Sequence, residues 1–429
     1  MNILTMSNTF TPHVGGVARS LERFCAEFRA LGHRDLVVAP TFEDMPEHEV
    51  DVVRIPAIQH FNGSDFSVRL PIPALLFPQL EKFKPDIVHA HHPFLLGDTA
   101  LRIAALHQIP HVFTHHTLYE QYTHYVPGDS EALKRFVIEL STGYANLCDG
   151  VIAPSESIAA LLQKRGVTTP VTVIPTGVGH AWFVPQDGMA LRENLGIPKE
   201  AFLLGHVGRL APEKNLGFLT DAVIHFIQQH KTAHFLVAGT GPSESAMRDR
   251  FEKTGLADRY HQIGQVALET LVRAYNAMDV FVFASQSETQ GMVLTEAMAA
   301  GSPVVAVDAS GVREVVEDGV NGRLLSEEAV EPFSSAITWL FGLSPAKRRA
   351  LQAAARETAD RFSITRSTDR VLKLYADLIA QVQVKQEIEG SHWLSILPLI
   401  ETEWDLWVNR AHALQSALHE EKGNRTQEA

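Results

Sequence analysis

Short runs of Val, Ile, Leu and Phe recur along the chain, each followed by a stretch whose apolar positions fall three and four residues apart. In the first part these runs are Asn2–Met6, Leu36–Ala39, Asp86–Ala90, His111–Thr114, Gly150–Ala153 and Val171–Ile174. In the second they are Phe202–Val207, Phe235–Ala238, His261–Gly264, Val280–Phe283 and Val304–Val307. A strand that is apolar on both faces and leads into a helix belongs in a parallel sheet with helices over each face, so the alternation predicts an α/β fold. The rhythm lapses after Pro175-Thr176-Gly177 and restarts at Phe202, which divides the chain into domains at residues 1–178 and 179–361. Two doubly wound sheets in series predict two Rossmann-like domains facing a cleft, with ligands beyond the carboxyl ends of the strands.

Helical periodicity runs from about Ala329 to Gln381, broken at Phe362-Ser363, so residues 362–382 are expected to form a helix crossing back to the first domain. Residues 383–429 form a Trp-rich tail in which Ile400, Trp404, Trp407, Ala411, Leu414 and Leu418 alternate steps of four and three, an amphipathic helical seam. The opposite face carries Glu401, Glu403, Asp405, Glu420 and Glu421. The leading expectation is that this seam docks on the protein's own surface; a partner or self-association helix and membrane contact are the alternatives, the last opposed by the acidic face.

Composition narrows the function class. A length of 429 residues exceeds what one core fills, and 45% hydrophobic with 20% charged residues is ordinary for a globular protein. A net charge of -13 without a basic stripe excludes a nucleic-acid partner. Cys25 and Cys148 stand in apolar helical contexts without metal spacing and read as buried thiols. The opening Met-Asn-Ile-Leu-Thr-Met lacks the features of a secretion signal, and the most apolar stretch, Pro71–Leu80, is interrupted by three prolines. The expected location is cytoplasmic, either free or peripheral at the inner face of a membrane.

Four segments carry candidate chemistry. Ser287-Glu288-Thr289-Gln290-Gly291-Met292-Val293-Leu294-Thr295-Glu296 joins a strand to an apolar helix. Gly291 permits close backbone approach by a ligand, the first helical turn offers unpaired amides, and Glu296, alone among Met, Val, Leu and Ala, needs donors such as ribose hydroxyls. Glu288 suits the hydroxyls of a transferred sugar. Gly208-Arg209-Leu210-Ala211-Pro212-Glu213-Lys214-Asn215 pairs a guanidinium with an ammonium where a leaving diphosphate would gather charge. Thr11-Pro12-His13-Val14-Gly15-Gly16-Val17 opens the first helix as a phosphate-approach loop, although it is not GxGxxG. Last are the histidines at strand ends, His89, His91, His92, His115 and His116, which read as sugar contacts, as internally bonded residues, or, without accompanying acids, least well as metal ligands. Base recognition is expected from backbone around Gly264–Val266.

Together these residues resemble glycosyltransferase family 4, the retaining nucleotide-sugar transferases of the GT-B fold, over about residues 1–382. Glu288 and Glu296 match the paired glutamates, Gly208-Arg209 with Glu213-Lys214 the diphosphate site, and Gly15-Gly16 the N-terminal loop. The resemblance implies an acceptor-binding domain at 1–178 and a nucleotide-sugar domain at 179–361. It implies that Arg209 and Lys214 bind the diphosphate, Glu296 the ribose, and Glu288 with the Gly291, Met292 and Val293 backbone the sugar and phosphate, while His116 faces the transferred sugar. No cofactor, no metal and no protein nucleophile are implied; the departing phosphate assists the incoming hydroxyl on the same face.

A narrower likeness, carried by Ser287–Gly291 and by His116-Thr117-Leu118-Tyr119-Glu120-Gln121-Tyr122-Thr123-His124-Tyr125, is to diacylglycerol glucosyltransferases. It implies UDP-glucose as donor, a lipid acceptor, and peripheral membrane contact through the N-terminal domain. Residues 1–178 depart from it, with thirteen Lys and Arg against eighteen Asp and Glu. A soluble or polysaccharide acceptor, with mannose or another hexose, and a non-catalytic sugar-nucleotide-binding subunit are the alternatives.

Overall fold

The computed structural model describes residues 1–13, 15–58, 68–69, 76–121, 123, 130–286, 288–389 and 397–425. Val14, Ser287, Tyr122, His124, Tyr125 and residues 71–75 of the Pro71–Leu80 stretch, named above, lie outside them, as do the side chains of Leu418, Glu420 and Glu421. The chain forms two compact units, one of residues 1–175 with 367–429 and one of residues 176–366.

The first unit is built on a seven-stranded sheet. Its strands are β1 (Asn2–Met6), β2 (Arg34–Pro40), β3 (Val52–Ile55), β6 (Ile87–Ala90), β7 (His111–Thr114), β8 (Gly150–Ala153) and β9 (Val171–Val173). They are parallel throughout in the order β3-β2-β1-β6-β7-β8-β9, while β4 (Ala57–Ile58) and β5 (Val68–Arg69) form a separate antiparallel pair. Strands β1, β6 and β8 carry no exposed residue, as a sheet covered on both faces requires. From Ser367 onward the helix Ile364–Glu389 belongs to this unit, and its Val371, Tyr375 and Leu378 pack with Ile3, Phe28, Ile87, Val112 and Ile152.

The second unit repeats the plan with β10 (Phe202–Val207), β11 (Ala233–Ala238), β12 (Tyr260–Gly264), β13 (Val280–Phe283), β14 (Val304–Val307) and β15 (Gly322–Leu325). Their order is β12-β11-β10-β13-β14-β15, again parallel. Entry and exit of the chain are stitched together: Val178 N–H donates to Phe362 O (2.8 Å) and Ile364 N–H to Val178 O (2.9 Å). A Cβ on Gly177 would fall 2.1 Å from Ile364 Cα, so only glycine fits this crossing. The unit therefore begins at Thr176 and ends at Arg366, rather than at the expected 179 and 361, because these bonds bind the flanking residues to it. The helical stretch after Ala329 is broken at Phe362-Ser363, as expected, and also between Val330–Phe341 and Pro345–Arg361, where Ser344 caps the second helix with Pro345 in its first turn.

The tail corrects the expectation drawn for it. The helix Leu397–Arg425 lies on Leu96–His107 and Glu131–Asn146, but through Leu406, Ala413 and Ala417, which are 1%, 0% and 7% exposed. The expected seam points outward instead: Ile400, Trp404, Trp407 and Leu414 are 56%, 70%, 66% and 54% exposed. Small residues let the helices approach closely, and polar contacts fix the seating. Arg102 pairs with Glu403, Arg410 with Asp98, and Asn409 donates to Leu140 O (3.1 Å). Gly143 lies under Asn409, whose Oδ1 stands 1.8 Å from where a Cβ would be. No described helix is long and apolar enough to cross a membrane.

Candidate active site

In the second sheet the chain winds from β10 outward in one direction through β11 and β12, and from β13 in the other through β14 and β15. Beyond the carboxyl ends of β10 and β13 the flanking connections diverge to opposite faces and leave a crevice, where doubly wound folds hold ligands. The Gly208–Asn215 loop follows β10 and the Glu288–Gly291 loop follows β13, so two separate sequence motifs meet at this reversal.

Their meeting is direct. Lys214 Nζ donates to Glu288 Oε1 at 2.6 Å, with both side chains less than one fifth exposed. Burial pushes the Glu288 carboxyl up, but the charge and hydrogen bond of Lys214 outweigh it, and with His206 they hold the group below its ordinary value. The carboxylate thus stays ionised, an acceptor-only group suited to sugar hydroxyls. Arg209 is exposed at the mouth of the same loop. His206 lies beneath it, 1% exposed, its Nδ1 bonded to Val282 O (3.1 Å); burial lowers this imidazole to about 4, so it is neutral at physiological pH.

Gly291 has φ +71°, a left-handed conformation that glycine adopts without strain, and it starts the helix Met292–Ala299. The helix contains no acidic residue in its first turn, leaving the positive end of its dipole uncompensated beside Met292 and Val293. One turn on, Glu296 is only 2% exposed and accepts from the Tyr275 hydroxyl at Oε2 (3.2 Å). The wet helix edge open to a lone glutamate is thus not its environment. Gln290 grips the backbone of Thr176 with both ends of its amide, Oε1 accepting at 2.6 Å and Nε2 donating at 2.8 Å. Gly311, at φ +74°, supports the loop from behind, with Gln290 N 2.7 Å from its would-be Cβ.

Gly264, at φ +64°, ends β12, and Val266 is half-buried against the core. Between these motifs lies a glycine pair that pattern reading passed over. Gly239 and Gly241, at φ +136° and +157°, run beside the β10 loop, where would-be Cβ atoms fall 1.9 Å from Gly208 O and 2.4 Å from Leu210 O. Backbone bonds stitch them there: Leu210 N–H to Thr240 O (2.9 Å) and Gly239 N–H to Gly264 O (2.8 Å). Gly239-Thr240-Gly241-Pro242 directly after an apolar strand was the available signal.

The first unit has its own reversal, between β1 and β6. Gly15 stands at the N-terminus of the helix Gly16–Ala30 with extended backbone, so its φ does not demand glycine; a Cβ there would instead crowd His13 Nε2 at 3.2 Å. The histidines divide by environment. His89 bonds Tyr375 and Thr114, and His92 Nδ1 accepts from Asn8 N–H at 3.2 Å, so both are committed to internal partners. His116 is half-buried, with Nε2 2.9 Å from His91 Nδ1 and their rings stacked at 5.1 Å; burial lowers it to about 4. Among the described residues no group of three or more His, Cys, Asp or Glu is placed to hold a metal ion.

Comparison with known proteins agrees with this arrangement. The model for Glycosyltransferase Family 4 matches residues 14–182 and that for Glycosyl transferases group 1 matches residues 189–358. The alpha-monoglucosyldiacylglycerol synthase of Acholeplasma laidlawii is 30% identical over 336 residues, covering 75% of this chain and 84% of the relative. The GDP-mannose-dependent alpha-mannosyltransferase of Corynebacterium glutamicum is 26% identical, covering 89% and 90%. The crystal structure of Anabaena Alr3699/HepE in complex with UDP superposes with a TM-score of 0.68 at 22% identity, over 88% of this chain and 100% of that one. Two doubly wound parallel sheets make this a GT-B fold, and the chain belongs to glycosyltransferase family 4.

Proposed function

We propose that this glycosyltransferase moves glucose from UDP-glucose onto 1,2-diacylglycerol with retention of configuration, without metal or other cofactor. The observation that carries the donor half is the Lys214–Glu288 pair at the reversal of the second sheet. A cation and an ionised carboxylate in contact suit the two sides of a sugar–phosphate bond. Lys214 and Arg209 take the diphosphate, with the first-turn amides of Met292 and Val293; Glu288 takes the sugar hydroxyls and Glu296, oriented by Tyr275, the ribose. Gly264 and Val266 contribute the base contact through backbone.

Chemistry follows from charge. As the bond from C1 to the phosphate oxygen breaks, negative charge grows on the diphosphate beside Lys214 and Arg209. The acceptor oxygen bonds to C1 on the same face and its proton passes to the departing phosphate oxygen, so no protein nucleophile is required. Gly15-Gly16 and His116 are assigned to the first unit's side of the reaction, His116 toward the transferred sugar as a neutral imidazole. Membrane contact is assigned to the first unit at the cytoplasmic face. Support for the lipid acceptor comes from relatives named as glucosyldiacylglycerol synthases, and for UDP-glucose from a neighbour solved with it. A GDP-mannose donor with another acceptor is the second reading, favoured by the mannosyltransferase relative.

The test is nucleotide release from UDP-, GDP- and ADP-sugars without added metal, with and without vesicles containing diacylglycerol. Vesicle-stimulated release from UDP-glucose is the expected result. Lipid-independent release from a GDP-sugar would transfer the assignment to the second reading, and no release from any donor would leave a sugar-nucleotide-binding subunit.

A further inference from the structure

The helix Leu397–Arg425 has two apolar faces, and its own protein covers one of them. Leu406, Ala413 and Ala417 are buried against the unit, whereas Ile400, Trp404, Trp407, Val408 and Leu414 form an outward ridge between 42% and 70% exposed. Exposed tryptophan is uncommon, and two of them four and three residues from the next apolar position are not scattered surface residues. With Arg410 held by Asp98 and Glu403 by Arg102, the helix is seated firmly enough to present the ridge as a fixed surface.

We propose that this ridge is the contact through which two copies of the chain associate, their tail helices antiparallel. The 4-3 spacing of Ile400, Trp404, Trp407, Ala411 and Leu414 is the spacing by which one helix packs another. Antiparallel pairing centred at the level of residue 409 sets Trp407 of each copy over Ala411 of the other and Trp404 against Leu414, so each large ring meets a small or flexible residue. Charge points the same way: exposed Glu401 and Asp405 flank the first half of the ridge and exposed His412 the second, while Arg410 is held by Asp98 of its own chain. Antiparallel pairing brings Asp405 of each copy to the level of Ala413, beside His412, of the other, whereas parallel pairing sets Asp405 against Asp405. The ridge offers on the order of 500 Å² per copy, so the pair buries about 1,000 Å², the lower bound for a specific interface. A lipid surface is the other chemistry that takes exposed tryptophan, but membrane-lying helices carry Lys and Arg along the polar face, and here Glu401 and Asp405 flank the rings.

The test uses the full chain in sedimentation velocity and light scattering across micromolar concentrations, alongside flotation with zwitterionic and with anionic vesicles. The wild type is expected to dimerise with a concentration-dependent mass. Trp404→Ser with Trp407→Ser should weaken association at least tenfold, and Asp405→Lys should weaken it severalfold. Because Trp404 and Trp407 are exposed, far-ultraviolet circular dichroism and the melting temperature should stay unchanged. A monomer at all concentrations overturns the proposal, as does a dimer indifferent to these substitutions. Monomeric protein whose vesicle flotation depends on the two tryptophans reassigns the ridge to a lipid surface.

Discussion

Gln290 holds Thr176, 114 residues away, by both the N–H and the carbonyl of its backbone, inside a region where the two residues are 4% and 6% exposed. The clasp ties the loop carrying Glu288 to the first residue of the second unit. Gln290→Met keeps the length of the side chain and removes both bonds, and each buried bond lost costs about 1–3 kcal/mol. Urea unfolding is expected to show a loss of about 2–4 kcal/mol, with turnover reduced because Glu288 stands two residues away. A change below about 0.5 kcal/mol would show that the clasp does not hold the loop.

Lys214→Ala removes the ammonium from the diphosphate assignment and is expected to lower turnover by about 10²–10³, the effect of deleting one preorganised charge stabiliser. It also exposes the two opposing influences on Glu288. In the wild type the folded carboxyl lies below 4.5, so its contribution to stability is present above that pH and is lost as pH falls through the folded value. In the variant the lowering by Lys214 is gone, and burial, opposed by Ser285 and His206, pushes the carboxyl up relative to the wild type, so the acid limb of stability should move to higher pH. An unmoved limb together with a near-normal rate would remove Lys214 from the site.

Tyr275→Phe deletes the hydroxyl that Glu296 accepts and nothing else. Because Glu296 is assigned to the ribose and not to the reacting carbon, the expected effect is on donor binding. A rise in donor KM of about 3–10-fold, equivalent to about 0.5–1.5 kcal/mol, should leave kcat within a factor of two or so. A fall in kcat at unchanged KM would place Glu296 nearer the bond being broken.

The buried strands were legible because both of their faces are apolar: Asn2–Met6, Gly150–Ala153 and Val280–Phe283 begin and end where the hydrophobic runs do. Val52–Ile55 and Gly322–Leu325 were not, since each lies at a sheet edge, half-exposed, with Arg54 or Arg323 interrupting the run. Motif positions at the ends of β10 and β13 were legible as local spacing. Their pairing was not, because nothing local in Lys214 or Glu288 encodes a contact across 74 residues; the same holds for Gln290 with Thr176 and Tyr275 with Glu296. The tail shows a different limit. Its period was read correctly, but Leu406, Ala413 and Ala417 define a second, narrower apolar face, and periodicity alone does not say which face finds a partner.

Buried histidines give the protein a distinctive acid response. Burial lowers His92, His111 and His115 to about 3 and His116 to about 4 in the first unit, and His206 to about 4 in the second. Folded, these rings are neutral; unfolded, they take up protons as pH falls through the ordinary value of 6.5. The unfolded chain therefore binds more protons below that value, and stability that is whole above pH 6.5 is lost progressively beneath it. One such group gives a slope approaching about 1.4 kcal/mol per pH unit, and several give more. Urea unfolding between about pH 6.5 and 5, above the range where most carboxylates titrate, should show a steeper decline than one proton allows. His115 offers the control: it is 1% exposed, neither ring nitrogen has a hydrogen-bond partner among the described residues, and it meets Phe113 and Tyr119 edge-on. His115→Phe should be tolerated near neutrality and reduce the slope by close to one proton. Stability that stays flat from neutrality to about pH 5 would mean that the folded protein accepts these protons without penalty.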